Sequence, residues 1–248
     1  MLNVCEVEKS YTSGGLLSKE KKQIIKKVSF KCVAGECLGI IGESGSGKST
    51  LGRLILGIER PDKGEVLLDG ISTRNVQARV GKMSAVFQNY TSSLNPFFTV
   101  KKAIQEALQI VKVPKKNQEK EIEKLLHQVG LPAFYKHKYP HELSGGEAQR
   151  VCIARAIATK PKYLLLDEAV SSLDISVQLQ ILILLRELRS AYDMSYIFIT
   201  HDLQAATYLC DRIMIFKEGQ VEEVVSVSNL KNVKSSYAKA LLNKTISL

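Results

Sequence analysis

Apolar and polar positions change rhythm along this chain, and the rhythm sorts it into strands and helices. Leu2 to Glu8 and Val28 to Val33 alternate apolar with polar residues, the period of a half-buried strand. Cys37 to Ile41 is a compact apolar run flanked by glycines and predicts a central strand buried on both faces, as in a parallel sheet. Between the first two strands, Ser13 to Lys22 is rich in Gly, Ser and Lys and predicts a solvated loop. A helix is expected from Lys48 to Gly57, a turn at Pro61-Asp62-Lys63-Gly64, and a short strand from Glu65 to Asp69.

Met83 to Phe87 is a further strand candidate, followed by a polar loop from Gln88 to Pro96. From Val100 to Val129 the pattern turns helical, broken at Pro114; Pro132 and Pro140 then bracket a basic loop carrying Phe134, Tyr135 and Tyr139. A helix is expected to begin after Ser144 and to run through Ile157. Tyr163 to Leu166 is the most apolar strand, Ile175 to Ala191 an apolar helix, Tyr196 to Ile199 a strand and Leu203 to Leu209 a helix. Ile213 to Phe216 and Val221 to Val225 form a hairpin across Lys217-Glu218-Gly219-Gln220, and Ser235 to Leu242 a short terminal helix. Strands alternating with helices predict an α/β fold with a mostly parallel core sheet. The helical stretch 88–160 is expected to be an insertion into a core made of 1–87 and 161–248.

Composition changes this picture only at its margins. The 248 residues suit one α/β domain with a subdomain, and 45% apolar with 24% charged residues excludes disordered and low-complexity classes. A net charge of +10 suggests an anionic partner, whether nucleotide, nucleic acid or acidic membrane. Five scattered cysteines without a C-x-x-C pair argue for reduced cytosolic thiols over a disulfide framework or a zinc site. The first twenty residues lack a signal-peptide core, and no apolar run approaches the ~20 residues of a membrane span, so a soluble chain is expected.

The candidate chemistry starts at Gly42-Glu43-Ser44-Gly45-Ser46-Gly47-Lys48-Ser49, a G-x-x-x-x-G-K-[ST] phosphate loop between a predicted strand and a predicted helix. Its glycines allow successive backbone N–H groups to face phosphate oxygens, and the following helix adds the positive end of its dipole. Lys48 is expected to neutralise the β and γ phosphates, and Ser49 to offer its hydroxyl to Mg²⁺. Asp167 ends the most apolar strand, where ligands of such sheets bind, and can hold Mg²⁺ directly or through water. Glu168 can polarise the water that attacks the γ phosphate. An acidic pair stabilised by a helix N-terminus would account for the same two residues.

Leu143-Ser144-Gly145-Gly146-Glu147 opens a helix, and Ser144 with Glu147 fits a capping box. Two glycines in a row are entropically costly and unnecessary for a cap, which points to an anion approaching the backbone there. The two readings are compatible. His201, at the end of a strand, could serve catalysis, or Thr200-His201-Asp202 could simply cap the next helix.

A phosphate loop, then Leu143 to Glu147, Asp167-Glu168, Ser171-Ser172-Leu173-Asp174 and His201, in that order, resembles the nucleotide-binding subunit of an ABC transporter over nearly the whole chain. The resemblance implies a P-loop NTPase core with a mostly parallel central sheet, an antiparallel N-terminal β part and an inserted helical subdomain. It implies an ATPase using ATP and Mg²⁺, in which two subunits sandwich two ATP molecules between one phosphate loop and the partner's signature helix. Residues Gly42 to Thr50 would bind ATP, and Leu143, Ser144, Gly145, Gly146 and Glu147 would meet the partner's ATP. Gln88 would sense Mg²⁺ and touch the membrane subunits, His201 would contact the γ phosphate, Asp174 would lie in the dimer interface, and Tyr11 would stack on adenine.

Ser93-Leu94-Asn95-Pro96 and Tyr11-Thr12-Ser13-Gly14-Gly15 are similar to segments of the oligopeptide, dipeptide and nickel importers. Gln149 to Ala156 and Asp167-Glu168-Ala169-Val170-Ser171 look more like the nickel-import ATPases, because the peptide ones usually carry Pro-Thr at Ala169-Val170 and a longer, cysteine-bearing C-terminal extension. The resemblance thus implies uptake of nickel or a related metal or chelate, with oligopeptide import as the competitor and a soluble nucleic-acid ATPase as the alternative of another class. Two permease subunits, a sister ATPase (or a second copy) and an extracellular binding protein are the implied partners at the cytoplasmic face of the membrane; nucleic acid is not expected. One position departs from the pattern: Glu147 stands where the signature usually has Gln. The carboxylate would then lie nearer the phosphates, either weakening the ATP sandwich or having its charge compensated by Arg150.

Overall fold

A computed structural model describes residues 1–13, 20–89 and 93–246. The strands are β1 (Leu2–Ser13), β2 (Glu20–Cys32), β3 (Cys37–Ile41), β4 (Lys63–Leu68), β5 (Ile71–Ser72), β6 (Met83–Phe87), β7 (Tyr163–Asp167), β8 (Ser195–Thr200), β9 (Arg212–Lys217) and β10 (Gln220–Ser226). The helices are α1 (Lys48–Ile55), α2 (Val76–Arg79), α3 (Val100–Ile110), α4 (Lys115–Gln128), α5 (Gly145–Ile157), α6 (Ile175–Tyr192), α7 (Leu203–Leu209) and α8 (Ser236–Ile246). The chain separates into two compact units, Met1–Arg79 with Ile197–Leu248, and Val80–Tyr196.

In the first unit, β2-β1-β4-β5 form an antiparallel sheet, with Leu2 opposite both Cys32 and Leu68. The expected loop 13–22 is shorter than its composition suggests: β1 runs to Ser13 and β2 already begins at Glu20. The N-terminal half of β2 lies at a sheet edge with Lys21 and Lys22 exposed, so no apolar alternation marks it. Residues 14–19, including Gly14 and Gly15, lie outside the described residues. A second sheet places β3 between β9 and β8, with β3 parallel to β9 and β10 closing the edge antiparallel. All five residues of β3 are buried, as expected for a strand covered on both faces. The β9–β10 turn is set by Glu218 and Gly219, both at positive φ (46° and 81°), the pattern of a tight two-residue hairpin.

In the second unit, β6 and β7 are parallel and pair from Met83–Tyr163 to Phe87–Asp167. Helices α3, α4 and α5 pack on one another. Thr99 caps α3 by accepting a hydrogen bond from the Lys102 N–H. The expected Pro132–Pro140 loop contains two 3₁₀ turns, Ala133–His137 and Pro140–Glu142, and the first rests on α3 and α4. Lys136 of that turn is ion-paired with Glu119 at 2.7 Å and Glu123 at 2.5 Å on α4. Lys101 and Lys136 together hold the Glu119 carboxyl down at about 2. Residues 90–92 of the expected 88–96 loop lie outside the described residues. Among the described residues no helix is long and apolar enough to cross a membrane.

Candidate nucleotide site

The phosphate loop leaves β3 and enters α1, as the motif requires. Gly42 is dictated by packing: a Cβ there would sit 2.0 Å from the Phe216 carbonyl oxygen at the end of β9. Gly47 takes φ 104°, a conformation that side chains rarely tolerate, and as the α1 N-cap it supplies no side-chain capping bond. The Ser46 hydroxyl is buried without a hydrogen-bond partner, and the space above Gly45 is open. Lys48 is only 4% exposed and its Nζ donates to the Gly42 and Glu43 carbonyls at 2.8 and 2.9 Å. Two further bonds anchor the loop: Gly219 N–H to the Ser46 carbonyl at 2.9 Å, and Glu43 N–H to the Tyr237 hydroxyl oxygen at 3.3 Å. An orphaned buried hydroxyl, an uncapped helix start and a buried ammonium share one requirement, an anion with several oxygens; a polyphosphate fits.

Tyr11 lies on β1, 37% exposed, with its hydroxyl donating to the Glu59 carboxylate. Arg53 of α1 binds the same carboxylate at 2.5 Å and also donates to Thr50 Oγ1 at 3.1 Å. Burial pushes the Glu59 carboxyl up, but the Tyr11 hydroxyl and Arg53 outweigh it and hold the group below its usual range. After β8, the capping duty falls to Asp202, whose carboxylate accepts from Gln204 N–H at 2.8 Å and Ala205 N–H at 3.1 Å. Thr200 Oγ1 accepts from Asp202 N–H, and His201 is exposed outside this cap. The cap is therefore formed without the imidazole.

In the second unit, the β6–β7 register sends Gln88 and Glu168 off the same end of adjacent parallel strands. Gln88 is exposed, and Asp167 is 8% exposed. Glu168 adopts φ 50°, a left-handed conformation uncommon outside glycine, and Ser171 Oγ donates to its carbonyl at 3.0 Å and its carboxylate at 3.2 Å. The buried Gln149 of α5 donates to the Ala169 carbonyl at 2.6 Å, tying the helix that starts at Gly145 to the segment that follows Glu168. Asp174 is the exposed N-cap residue of α6.

Ser144 caps α5 in a capping box: its hydroxyl accepts from Glu147 N–H at 3.4 Å, and Glu147 accepts from Ser144 N–H at 2.8 Å. Gly146 has a packing reason as well as the anion argument, because a Cβ there would lie 2.7 Å from Val177 on α6. Of the two alternatives open for Glu147, compensation by Arg150 is not the one the structure takes. Arg150 donates to the Val129 carbonyl at 2.7 Å and to Gln180 at 3.2 Å, whereas the second Glu147 oxygen accepts from the Tyr135 hydroxyl. Sequence reasoning missed Tyr135: twelve residues upstream and in another turn, it belongs to no motif. The one available signal was the unusual carboxylate at position 147, which requires a donor.

A strand–loop–helix unit of phosphate-loop sequence in the first unit, and an acidic pair and a capped glycine helix start in the second, are each what a nucleotide-hydrolysing protein of the ABC type requires. The profile of the ABC transporter family matches residues 25–171, and the chain belongs to that family. It is 52% identical, over the full length of both chains, to the metal-staphylopine import system ATP-binding protein CntF of Staphylococcus aureus. It is 37% identical to a putative peptide import ATP-binding protein of Brucella ovis, covering 89% of this chain and 72% of that one. The nickel import ATP-binding protein NikE of Escherichia coli O157:H7 is 36% identical, covering 98% and 93%. A dimeric ATP-binding cassette solved in a post-hydrolysis state with ADP and Pi superposes with a TM-score of 0.80 at 30% identity, covering 92% of this chain and 99% of that one. The chain is an ABC ATPase that serves as the ATP-binding subunit of an importer.

Proposed function

We propose that this subunit energises uptake of a transition metal carried by an organic chelator, nickel among the candidates. The observation that carries this reading is the end-to-end 52% identity to an ATPase of a metal-staphylopine importer, well above the 37% to a peptide-import relative. Ala169-Val170, where the peptide-import ATPases that the chain resembles usually carry Pro-Thr, points the same way.

The chemistry follows from the chain's own groups. The N–H groups of Gly42 to Thr50 and the Lys48 ammonium bind the phosphates, with Lys48 exchanging its loop carbonyls for phosphate oxygens. Tyr11 meets the adenine. Ser49, Gln88 and Asp167 would hold Mg²⁺, which supplies positive charge to the phosphates. Glu168 takes the proton of the attacking water and His201 steadies the γ phosphate, so catalysis rests on positioning and charge neutralisation. Leu143, Ser144, Gly145, Gly146 and Glu147 bind ATP held by a second ATPase, with Asp174 at the dimer interface. That second subunit is a sister chain or a second copy. The working assembly adds two permease subunits, reached through the Gln88 segment and the helical subdomain 88–160, and an extracellular binding protein. It sits at the cytoplasmic face of the membrane.

Substrate choice is tested in the assembled importer by adding binding protein loaded with a nickel chelate or with an oligopeptide. The chelate is expected to raise ATP hydrolysis several-fold and the peptide to leave it at the basal rate. Stimulation by the peptide alone would assign the importer to peptides.

A further inference from the structure

The glutamate at position 147 creates a problem that the structure solves locally. A carboxylate in the first turn of a helix is stabilised by the helix dipole, yet it repels any phosphate that uses the same helix start. In this chain both oxygens of that carboxylate are engaged by donors of the protein itself: one by Ser144 N–H at 2.8 Å, the other by the Tyr135 hydroxyl. The donor is held in place. Tyr135 lies in the first 3₁₀ turn, with its ring 4.9 Å from that of Phe134 and the Lys138 ammonium 3.9 Å from its ring centroid. Lys136 of the same turn is bound to two glutamates of α4. The Tyr135 bond, then the Ser144 N–H, lower the Glu147 carboxyl below its usual range, and the same contact raises the Tyr135 hydroxyl.

We infer that Tyr135 is a positioning residue of the signature helix, fixing the Glu147 carboxylate in the capping box so that the helix start stays available to the partner's ATP. This rests on the proposed binding of ATP in trans by residues 143–147. Tyr135 touches neither ATP nor water in this role; it acts through Glu147. With glutamine at 147 there is no charge to restrain, and the hydroxyl loses its purpose.

The test is a double-mutant cycle in the assembled importer, with kcat and KM for ATP measured for the parent, Tyr135→Phe, Glu147→Gln and the double variant. Tyr135→Phe is expected to raise KM for ATP several-fold, because a carboxylate freed from its donor repels the phosphate that uses the same helix start, with a much smaller change in kcat. In the Glu147→Gln background the same change is expected to shift KM by less than about twofold, since the carboxylate it restrains is gone. Affinity of the isolated Tyr135→Phe chain for a fluorescent ATP analogue, bound by its own phosphate loop, stays at the parent value. An equal KM penalty in both backgrounds, or none in either, overturns the inference. Ser144→Arg is the separate control: if it leaves KM unchanged, the trans-binding reading itself has failed.

Discussion

Glu168→Gln is expected to bind ATP with parent affinity and to hydrolyse it at roughly 10²- to 10⁴-fold below the parent rate, the loss typical of removing a general base. The substitution is nearly isosteric, and its amide oxygen can still accept from Ser171 Oγ, which lies 3.2 Å from the Glu168 carboxylate. The left-handed backbone at φ 50° is common to both side chains. Folding and nucleotide binding are therefore expected to be preserved while the proposed proton acceptor is lost, so that bound ATP accumulates. Single-turnover measurements with labelled ATP separate the two effects. Turnover at the parent rate would remove Glu168 as the base.

Lys48→Ala acts one step earlier. The ammonium is buried and bonded to two carbonyls of its own loop, so its energetic cost of burial is already met in the free protein. In the proposed role, binding would exchange those carbonyls for phosphate oxygens without first burying a solvated charge. Its removal is expected to weaken ATP binding by about 10- to 100-fold, the weight of one or two charge-assisted hydrogen bonds. It also leaves the Gly42 and Glu43 carbonyls without that donor, so thermal unfolding is measured alongside. Titration with a fluorescent ATP analogue reads the affinity, and an unchanged value in a folded variant would contradict the phosphate-loop assignment.

How much of this was legible in the sequence varies with the physics of each element. Strands β3, β7 and β8 are buried along their full length, and their apolar runs announce them. The loop between β3 and α1 was legible from its glycines, since Gly42 has no room for a Cβ and Gly47 takes φ 104°. The start of β2 was not, since an edge strand facing water carries no apolar alternation. Nor were α2, four residues long, and β5, two residues long, too short for any period to develop. At the signature helix, the capping box could be read from spacing, but the packing of Gly146 against Val177 could not. The donor that meets Glu147 was not legible for the same reason. Arg150 is near in sequence, yet its guanidinium turns to Val129 and Gln180, while Tyr135 reaches Glu147 from a separate turn.

Uptake in cells whose only copy of this chain carries Glu168→Gln tests the account most directly. Under metal limitation, radioactive nickel is followed with and without a chelator, beside a labelled oligopeptide, in mutant and wild-type cells. The account predicts that nickel uptake is lost in the mutant while peptide uptake continues. Loss of peptide uptake with nickel entering as in wild type would contradict it.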